Sequence, residues 1–98
     1  MNIQIQSSFK RSDSLNQLIN HHVNKLGRFY DRITFANIFL KKENEGHISD
    51  RVTLRLGLPK QADITISEKA SRFEAAVIDA FEVAQRQLKR HKDKMRGK

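Results

Sequence analysis

The sequence has no cysteine, one proline and only four glycines among its 98 residues. Without cysteine, neither disulfide bonds nor thiolate chemistry is available, and zinc sites that need sulfur ligands are excluded. The glycines stand singly, so the sequence contains no glycine-rich phosphate-binding loop. These absences argue against a disulfide-stapled domain, a thiol enzyme and a nucleotide-binding enzyme.

Long hydrophobic runs are also missing. The first six residues alternate apolar and polar side chains instead of forming the apolar stretch of a secretory signal, and no apolar run approaches the length of a membrane span. No repeat, low-complexity linker or shift in composition divides the chain. We therefore expect one small cytoplasmic domain, residues 1–98, in which nearly every apolar residue is needed for the core.

Groups suited to catalysis or metal binding are scattered along the sequence. Acid-base and nucleophilic chemistry need convergent side chains, whereas the acids here lie at predicted helix starts, in turns and on an exposed helix face. The histidines show no metal-ligand spacing, because His21 and His22, adjacent on a helix, point about 100° apart. We expect no enzyme activity, no catalytic or metal-binding residues and no cofactor.

Hydrophobic periodicity predicts four strands and two helices. Alternating apolar residues indicate the strands, and apolar residues three or four apart indicate the helices. N-cap candidates for the first helix are Ser12, Asp13 and Ser14, of which Ser14 forms a capping box with Gln17, and Ser71 forms a capping box with Glu74 before the second. In chain order the predicted elements are a strand 2–7, a helix ending near residue 29, strands 33–41, 51–58 and 63–67, and a helix 73–95.

The order β-α-β-β-β-α predicts an α+β fold. Polar turns between the last three strands indicate an antiparallel meander, and a right-handed crossover through the first helix places the first strand parallel to the second. Both helices then pack on one face of a four-stranded sheet, a topology similar to that of double-stranded RNA-binding domains. The relative direction and offset of the two helices stay open.

Positive charge is concentrated near the C-terminal end of the sequence. Residues 86–98 carry seven Lys or Arg against one acid, a net charge of +6 out of +8 for the whole chain. Lys92 lies near the apolar stripe of the predicted helix and Arg96 at its flank, so we expect this part of the helix to project beyond the sheet. The side opposite Leu88 carries Arg86, Lys89, Arg90 and Lys94.

A second basic cluster, Lys25, Arg28 and Arg32, lies at the end of the first helix. Many charge runs are only solvated faces, and the helix dipole favours two or three cations in a last turn, but seven indicate a polyanion as partner. The apolar stripe is needed to cover the sheet, which argues against a membrane-surface helix, and no helix-turn-helix or zinc pattern indicates DNA. RNA is favoured, and whether the two clusters adjoin stays open.

Several short segments carry a resemblance to a known family: Lys25-Leu26, Phe29-Tyr30-Asp31-Arg32-Ile33, Ala75-Ala76-Val77, Arg86-Gln87-Leu88 and His91-Lys92-Asp93-Lys94. In these segments, and in element order over the whole chain, the sequence resembles the ribosome hibernation promoting factor family, also called ribosome-associated inhibitors or sigma-54 modulation proteins. The resemblance implies a stress-response factor of stationary phase that binds the decoding region of the small ribosomal subunit. There it covers the paths of mRNA and tRNA and represses translation.

By the same resemblance, basic residues of both helices contact rRNA. The chain departs from the family pattern at Phe73-Glu74, at Val83 and at Gly27, which bears on individual contacts. Positions that match the family's cations are Lys25, Arg86, Lys92 and Lys94. The expected rRNA-binding residues, including compatible neighbours, are Lys25, Arg28, Arg32, Arg86, Lys89, Arg90, His91, Lys92, Lys94 and Arg96.

The resemblance also implies partners. We expect a monomer that binds the small ribosomal subunit, its rRNA and the whole ribosome, with no DNA or membrane partner. We expect no C-terminal dimerisation domain after residues 1–98, so the chain resembles the short form of the family, which favours paired inactive ribosomes. Two other functions stay open: a stand-alone module for structured RNA, and a protein-interaction regulator of a sigma factor.

Overall fold

The computed structural model describes residues 1–43, 46 and 48–96, apart from the side chains of Met95 and Arg96. Its elements are β1 (Asn2–Ser7), α1 (Asp13–Phe29), β2 (Phe35–Lys42), β3 (Asp50–Gly57), β4 (Ile64–Ala70) and α2 (Phe73–Arg96). The predicted order β-α-β-β-β-α and the α+β class are confirmed. Two residues of the predicted turn after β2, Asn44 and Glu45, lie outside the described residues.

The boundaries of β2, β3 and β4 differ from the sequence prediction by one to three residues. Of the N-cap candidates of α1, Ser12 is the cap, and its hydroxyl accepts a backbone N–H three residues on at 3.2 Å. Strand β4 continues to Ala70, three residues past the predicted end, because its pairing with β3 extends to Asp50. Backbone pairing keeps these residues in the sheet although their side chains lack apolar alternation.

The strands form one sheet in the order β1-β2-β3-β4. Strand β1 is parallel to β2, and the other two neighbouring pairs are antiparallel. Helix α1 connects the two parallel strands, which cannot be joined by a tight hairpin. Alternate positions of the central strands face the helices and are at most 2% exposed: Ala36, Ile38, Leu40, Val52, Leu54 and Leu56.

Both helices cover this same face of the sheet, as predicted. Burial of each large apolar side chain stabilises the fold by about 1.5–3 kcal/mol. Neither helix, within the part of the chain that the structure describes, combines the length and apolar character needed to cross a membrane. The buried stripe of α1 is Leu15, Ile19, Val23 and Leu26, and that of α2 includes Phe73, Val77, Ala80, Phe81, Ala84 and Leu88.

The two helices run in the same direction across the sheet. Near the middle of each helix, His22 stacks on Phe81 with ring centroids 5.5 Å apart. Farther along both, Tyr30 meets His91 edge to face, with centroids 5.9 Å apart. The residue numbers therefore increase together along the two helices, and their C-terminal ends lie at one end of the molecule.

Candidate nucleic-acid interface

Seven exposed cations lie at or near the adjoining C-terminal ends of the helices, and we call them the helix-end surface. Those on α2 follow one another at intervals of three, one and four residues, which places them on the half of the helix away from the fully buried Leu88. Those from the first half of the chain lie on the last turns of α1 and just after it. The seven are Lys25, Arg28, Arg32, Arg86, Lys89, Arg90 and Lys94.

The two sequence clusters adjoin, which the sequence had left open. Lys25 of α1 and Gln85 of α2 line one groove of about 90 Å³ between the helices. Gln85 also lines the next groove, of about 360 Å³, together with Arg86 and Lys89. Lys25 therefore adjoins the α2 cluster, and the rest of the α1 cluster lies farther along at the same end of the molecule, because the helices are parallel and in step.

The cations of the helix-end surface have no acidic partner among the described residues. Seven like charges held close together repel one another, which is an electrostatic cost to the fold that a bound polyanion relieves. The ion pairs in the described part of the chain lie instead on the sheet, its loops and the start of α2: Lys42 with Asp50, Arg51 with Glu43, Arg55 with Asp63, Lys69 with Glu43 and Arg72 with Glu74.

Lys92 differs from these cations, and its position differs from the sequence prediction. Instead of projecting beyond the sheet, its half-buried side chain packs against the end of α1. The ammonium group donates a hydrogen bond to the backbone carbonyl of Phe29 at 3.1 Å and lies 4.6 Å from the centroid of the Phe29 ring. The apolar stripe of α2 correctly places Lys92 near the buried side of that helix. The stripe does not show that the end of α1 lies beside it.

His91 lies on the other side of the same turn of α2. It is half-buried between Tyr30 and Gln61, and its Nε2 atom is 2.7 Å from Nε2 of Gln61. With Arg90 and Lys94, His91 lines an open groove of about 340 Å³ beside the start of β4. Sequence reasoning missed Gln61, because a lone polar residue in a turn gives no signal that it meets a helix 30 residues later.

The remaining expected site residue, Arg96, has a side chain outside the described part of the structure. Among the described residues, no group of three or more histidine, aspartate or glutamate side chains is placed to hold a metal ion. The grooves of the helix-end region are lined by apolar side chains as well as by Lys, Arg, Gln and His, with Glu82 the one acid among the residues that line them. The two more open grooves suit phosphate groups of an extended ligand.

Burial perturbs one titratable group between the helices. Desolvation lowers the pKa of His22 from its ordinary value of 6.5, and the nearby charges of His21 and Lys25 lower it further, against a smaller opposing effect of Glu82. His22 is therefore held neutral where it stacks on Phe81. Lowering the pH therefore reduces the free energy of unfolding, because His22 takes up a proton at a higher pH in the unfolded chain than in the folded chain.

The family model described as "Sigma 54 modulation protein / S30EA ribosomal protein" matches residues 3–96. A ribosomal subunit interface protein from Coxiella burnetii has a similar structure, with a TM-score of 0.81 at 18% identity over 94% of this chain and 98% of that one. The N-terminal domain of Thermus thermophilus Protein Y is also similar, with a TM-score of 0.76 at 20% identity over 93% and 99%. No curated protein matches the sequence.

Proposed function

Because the chain belongs to the sigma 54 modulation protein / S30EA ribosomal protein family, we propose that it is a ribosome hibernation factor. It binds the decoding region of the small ribosomal subunit, blocks access of mRNA and tRNA, and represses translation without catalysing a reaction. Similar structures include a protein named for the ribosomal subunit interface. The proposed setting is the cytoplasm under stress or in stationary phase, with the ribosome and its rRNA as partners of a monomer.

One observation carries this proposal: seven exposed cations that have no acidic partner among the described residues share one surface at the ends of two helices. Lysine and arginine bind phosphates and release the counterions that surround a nucleic acid. Folded RNA presents phosphates and 2′-hydroxyls in a fixed geometry, and proteins recognise it largely by shape. A rigid surface that spans two helices fits such a target better than it fits a single flexible strand.

The mechanism is steric. With the helix-end surface anchored on rRNA phosphates, the rest of the molecule occupies the space that mRNA and tRNA need. The Cα radius of gyration is 13.8 Å and the longest dimension is 47 Å. The blocking body is the sheet with its buried core, and the anchors are side chains, so no bond is made or broken. Release needs only loss of the phosphate contacts.

The test compares two triple variants that lose the same charge. In the first, Arg86, Lys89 and Arg90 of the helix-end surface are changed to Gln. In the second, Lys10, Lys41 and Arg72, which are exposed away from that surface, are changed to Gln. We expect the first variant to lose cosedimentation with small ribosomal subunits while staying folded, and the second to keep it. Equal binding by both variants would contradict the proposal.

Sucrose-gradient profiles of whole ribosomes distinguish the finer possibilities. Accumulation of paired ribosomes on addition of the protein supports the pairing activity expected of the short form, whereas single inactive ribosomes support blocking alone. Tight binding to an isolated RNA duplex without ribosomes instead supports a stand-alone RNA module. The family description also names modulation of sigma 54, and capture of that factor in nuclease-treated extract is the corresponding result for a protein-interaction regulator.

A further inference from the structure

The end of α1 lacks the usual glycine cap. Tyr30, the residue after Phe29, has an extended backbone with φ −142° and ψ 105°, and its N–H bonds to the carbonyl of Leu26. The last carbonyls of a helix have no partner within the helix and carry the negative end of its dipole. The carbonyl of Phe29 is one of these, and it accepts its hydrogen bond from Lys92 on the other helix.

Lys92 thus contacts α1 in two ways at once. Its ammonium group satisfies the Phe29 carbonyl and lies over the face of the Phe29 ring, where a cation is attracted by the π electrons. The adjacent residue, His91, contacts the adjacent residue of the first half of the chain, Tyr30. Two successive residues at the end of α2 are therefore tied to two successive residues at the end of α1.

These ties lie between the two halves of the helix-end surface. Arg28 and Arg32 flank the Phe29–Tyr30 segment, while Arg90 and Lys94 flank the His91–Lys92 segment. Since long side chains bind a fixed phosphate array best when their backbones are held in register, an anchor at this point sets the spacing of all four flanking cations.

We propose that Lys92 is a positioning residue that locks the two halves of the helix-end surface together, and that it is not itself an rRNA ligand. This inference rests on the proposed function. A lysine that binds phosphate directly must turn toward solvent, as the exposed Lys89 and Lys94 do. Lys92 would have to give up the Phe29 carbonyl and leave a helix end without its partner.

Hydrogen exchange tests the lock without any ribosome. Lys92→Met keeps the hydrophobic stem over the Phe29 ring and removes the donor, and Lys89→Met removes an exposed cation one turn earlier as the matched control. We expect the amide of Tyr30, which bonds to Leu26, to exchange several-fold faster in Lys92→Met and unchanged in Lys89→Met. Equal exchange in the two variants would overturn the lock.

Coupling between mutations then separates positioning from direct contact. At fixed salt, Lys25→Gln is measured for its effect on affinity for small ribosomal subunits in three backgrounds: wild type, Lys92→Met and Lys89→Met. If Lys92 positions the surface, the loss of affinity caused by Lys25→Gln becomes at least about 3-fold smaller in the Lys92→Met background. In the Lys89→Met background this loss stays the same as in wild type. Lys92→Arg, which keeps a cationic donor, restores the wild-type cost.

Equal costs of Lys25→Gln in all three backgrounds would identify Lys92 as an independent phosphate ligand and overturn the proposal. A global loss of stability does not imitate the expected coupling, because binding is measured at a temperature where every variant is folded. If the wild-type protein fails to bind ribosomes, the proposed function fails, while the hydrogen-exchange result still decides whether Lys92 locks the helices.

Discussion

The open face of the sheet and the helix-end surface both carry several cations, yet they use them differently. On the sheet side, Arg51 and Lys69 share the carboxylate of Glu43, and Arg55 pairs with Asp63 at 2.7 Å. At the helix ends, none of the seven described cations lies within ion-pairing distance of an acid. Counting positive residues does not distinguish the two regions, whereas the presence or absence of acidic partners does.

The paired cations on the sheet side contribute to the fold, whereas the unpaired cations of the helix-end surface are available to a polyanion. A paired cation contributes little to binding, because a phosphate would have to displace an acid already in place. An unpaired cluster costs stability through repulsion and repays that cost only when a polyanion binds. Experiments that change one region and measure both ribosome binding and stability test this difference.

The largest expected effect is that of salt on ribosome binding. If six to ten phosphate contacts form, affinity falls about 10³ to 10⁵-fold between about 50 and 200 mM salt. Neutralising Arg86, Lys89 and Arg90 should lower the slope of log affinity against log salt by roughly 2–3, because each lost phosphate contact removes about 0.7–0.9. The slope is measured by titrating labelled protein with small subunits. An unchanged slope would place the contacts elsewhere.

A cavity beneath the helix-end surface should show whether the core only stabilises the fold or also affects ribosome binding. Leu88 is fully buried on the side of α2 opposite the cations. Leu88→Ala is expected to lower the free energy of unfolding by about 2–5 kcal/mol, because it leaves a cavity in the core. Urea unfolding measures this loss, and the salt slope of ribosome binding should stay as in wild type while the protein is folded. A changed slope would mean that the core also sets the surface.

On the sheet side, adding a single methyl group at position 57 should destabilise the fold without weakening ribosome binding. Gly57 of β3 is paired with Phe35 of β2, and the Phe35 ring occupies the space that a side chain at position 57 would need. Gly57→Ala should therefore cost about 1–3 kcal/mol of stability through overpacking. Thermal unfolding measures the loss. Weaker ribosome binding by the folded variant would show that the open face takes part in binding.

The smallest expected effect is acid sensitivity from the Glu43 ion pairs. A hydrogen bond from Arg51, then one from Lys69, lowers the pKa of Glu43 below its ordinary value of 4.5. The unfolded chain binds the proton more readily, so stability present at neutral pH is lost as pH falls through the folded-state pKa.

The matched variant for this effect is Glu43→Gln. Wild type should have the higher melting temperature at pH 7, and the difference should shrink as the pH falls through the folded-state pKa of Glu43, which lies below 4.5, because Glu43 then becomes uncharged like Gln. A difference that stays constant with pH would assign the stabilisation to hydrogen bonding alone. Ribosome binding at pH 7 should be the same for both.

Much of the fold was readable from periodicity. The alternation around Val52, Leu54 and Leu56 and the stripe through Val77, Phe81 and Leu88 each repeat with one period, and every one of these residues is buried. The end of β4 was not readable, because backbone pairing with β3 extends it where the side chains carry no pattern. Ser12 and Ser14 are both N-cap candidates in the sequence, and Ser14 alone has a capping-box partner in Gln17, yet the hydrogen bond from the Leu15 N–H shows that Ser12 is the cap.

The candidate site was readable residue by residue but not as a surface. The helical periodicity correctly predicted that four cations are exposed: Arg86, Lys89, Arg90 and Lys94. It could not bring them next to Lys25, since the direction of one helix relative to another depends on contacts between residues far apart in sequence. The contact of Lys92 with α1 could not be predicted for the same reason, because its partner is a backbone carbonyl 63 residues away.

The parallel arrangement of the helices makes the binding surface discontinuous in sequence. One half lies within residues 25–32 and the other within residues 86–94, with the entire meander of β2, β3 and β4 between them. A nascent chain that has completed α1 carries only the first half, and a protease cut in the meander separates the two. Under the proposed function, a partly synthesised copy that lacks α2 therefore has only half of the surface with which to bind a ribosome.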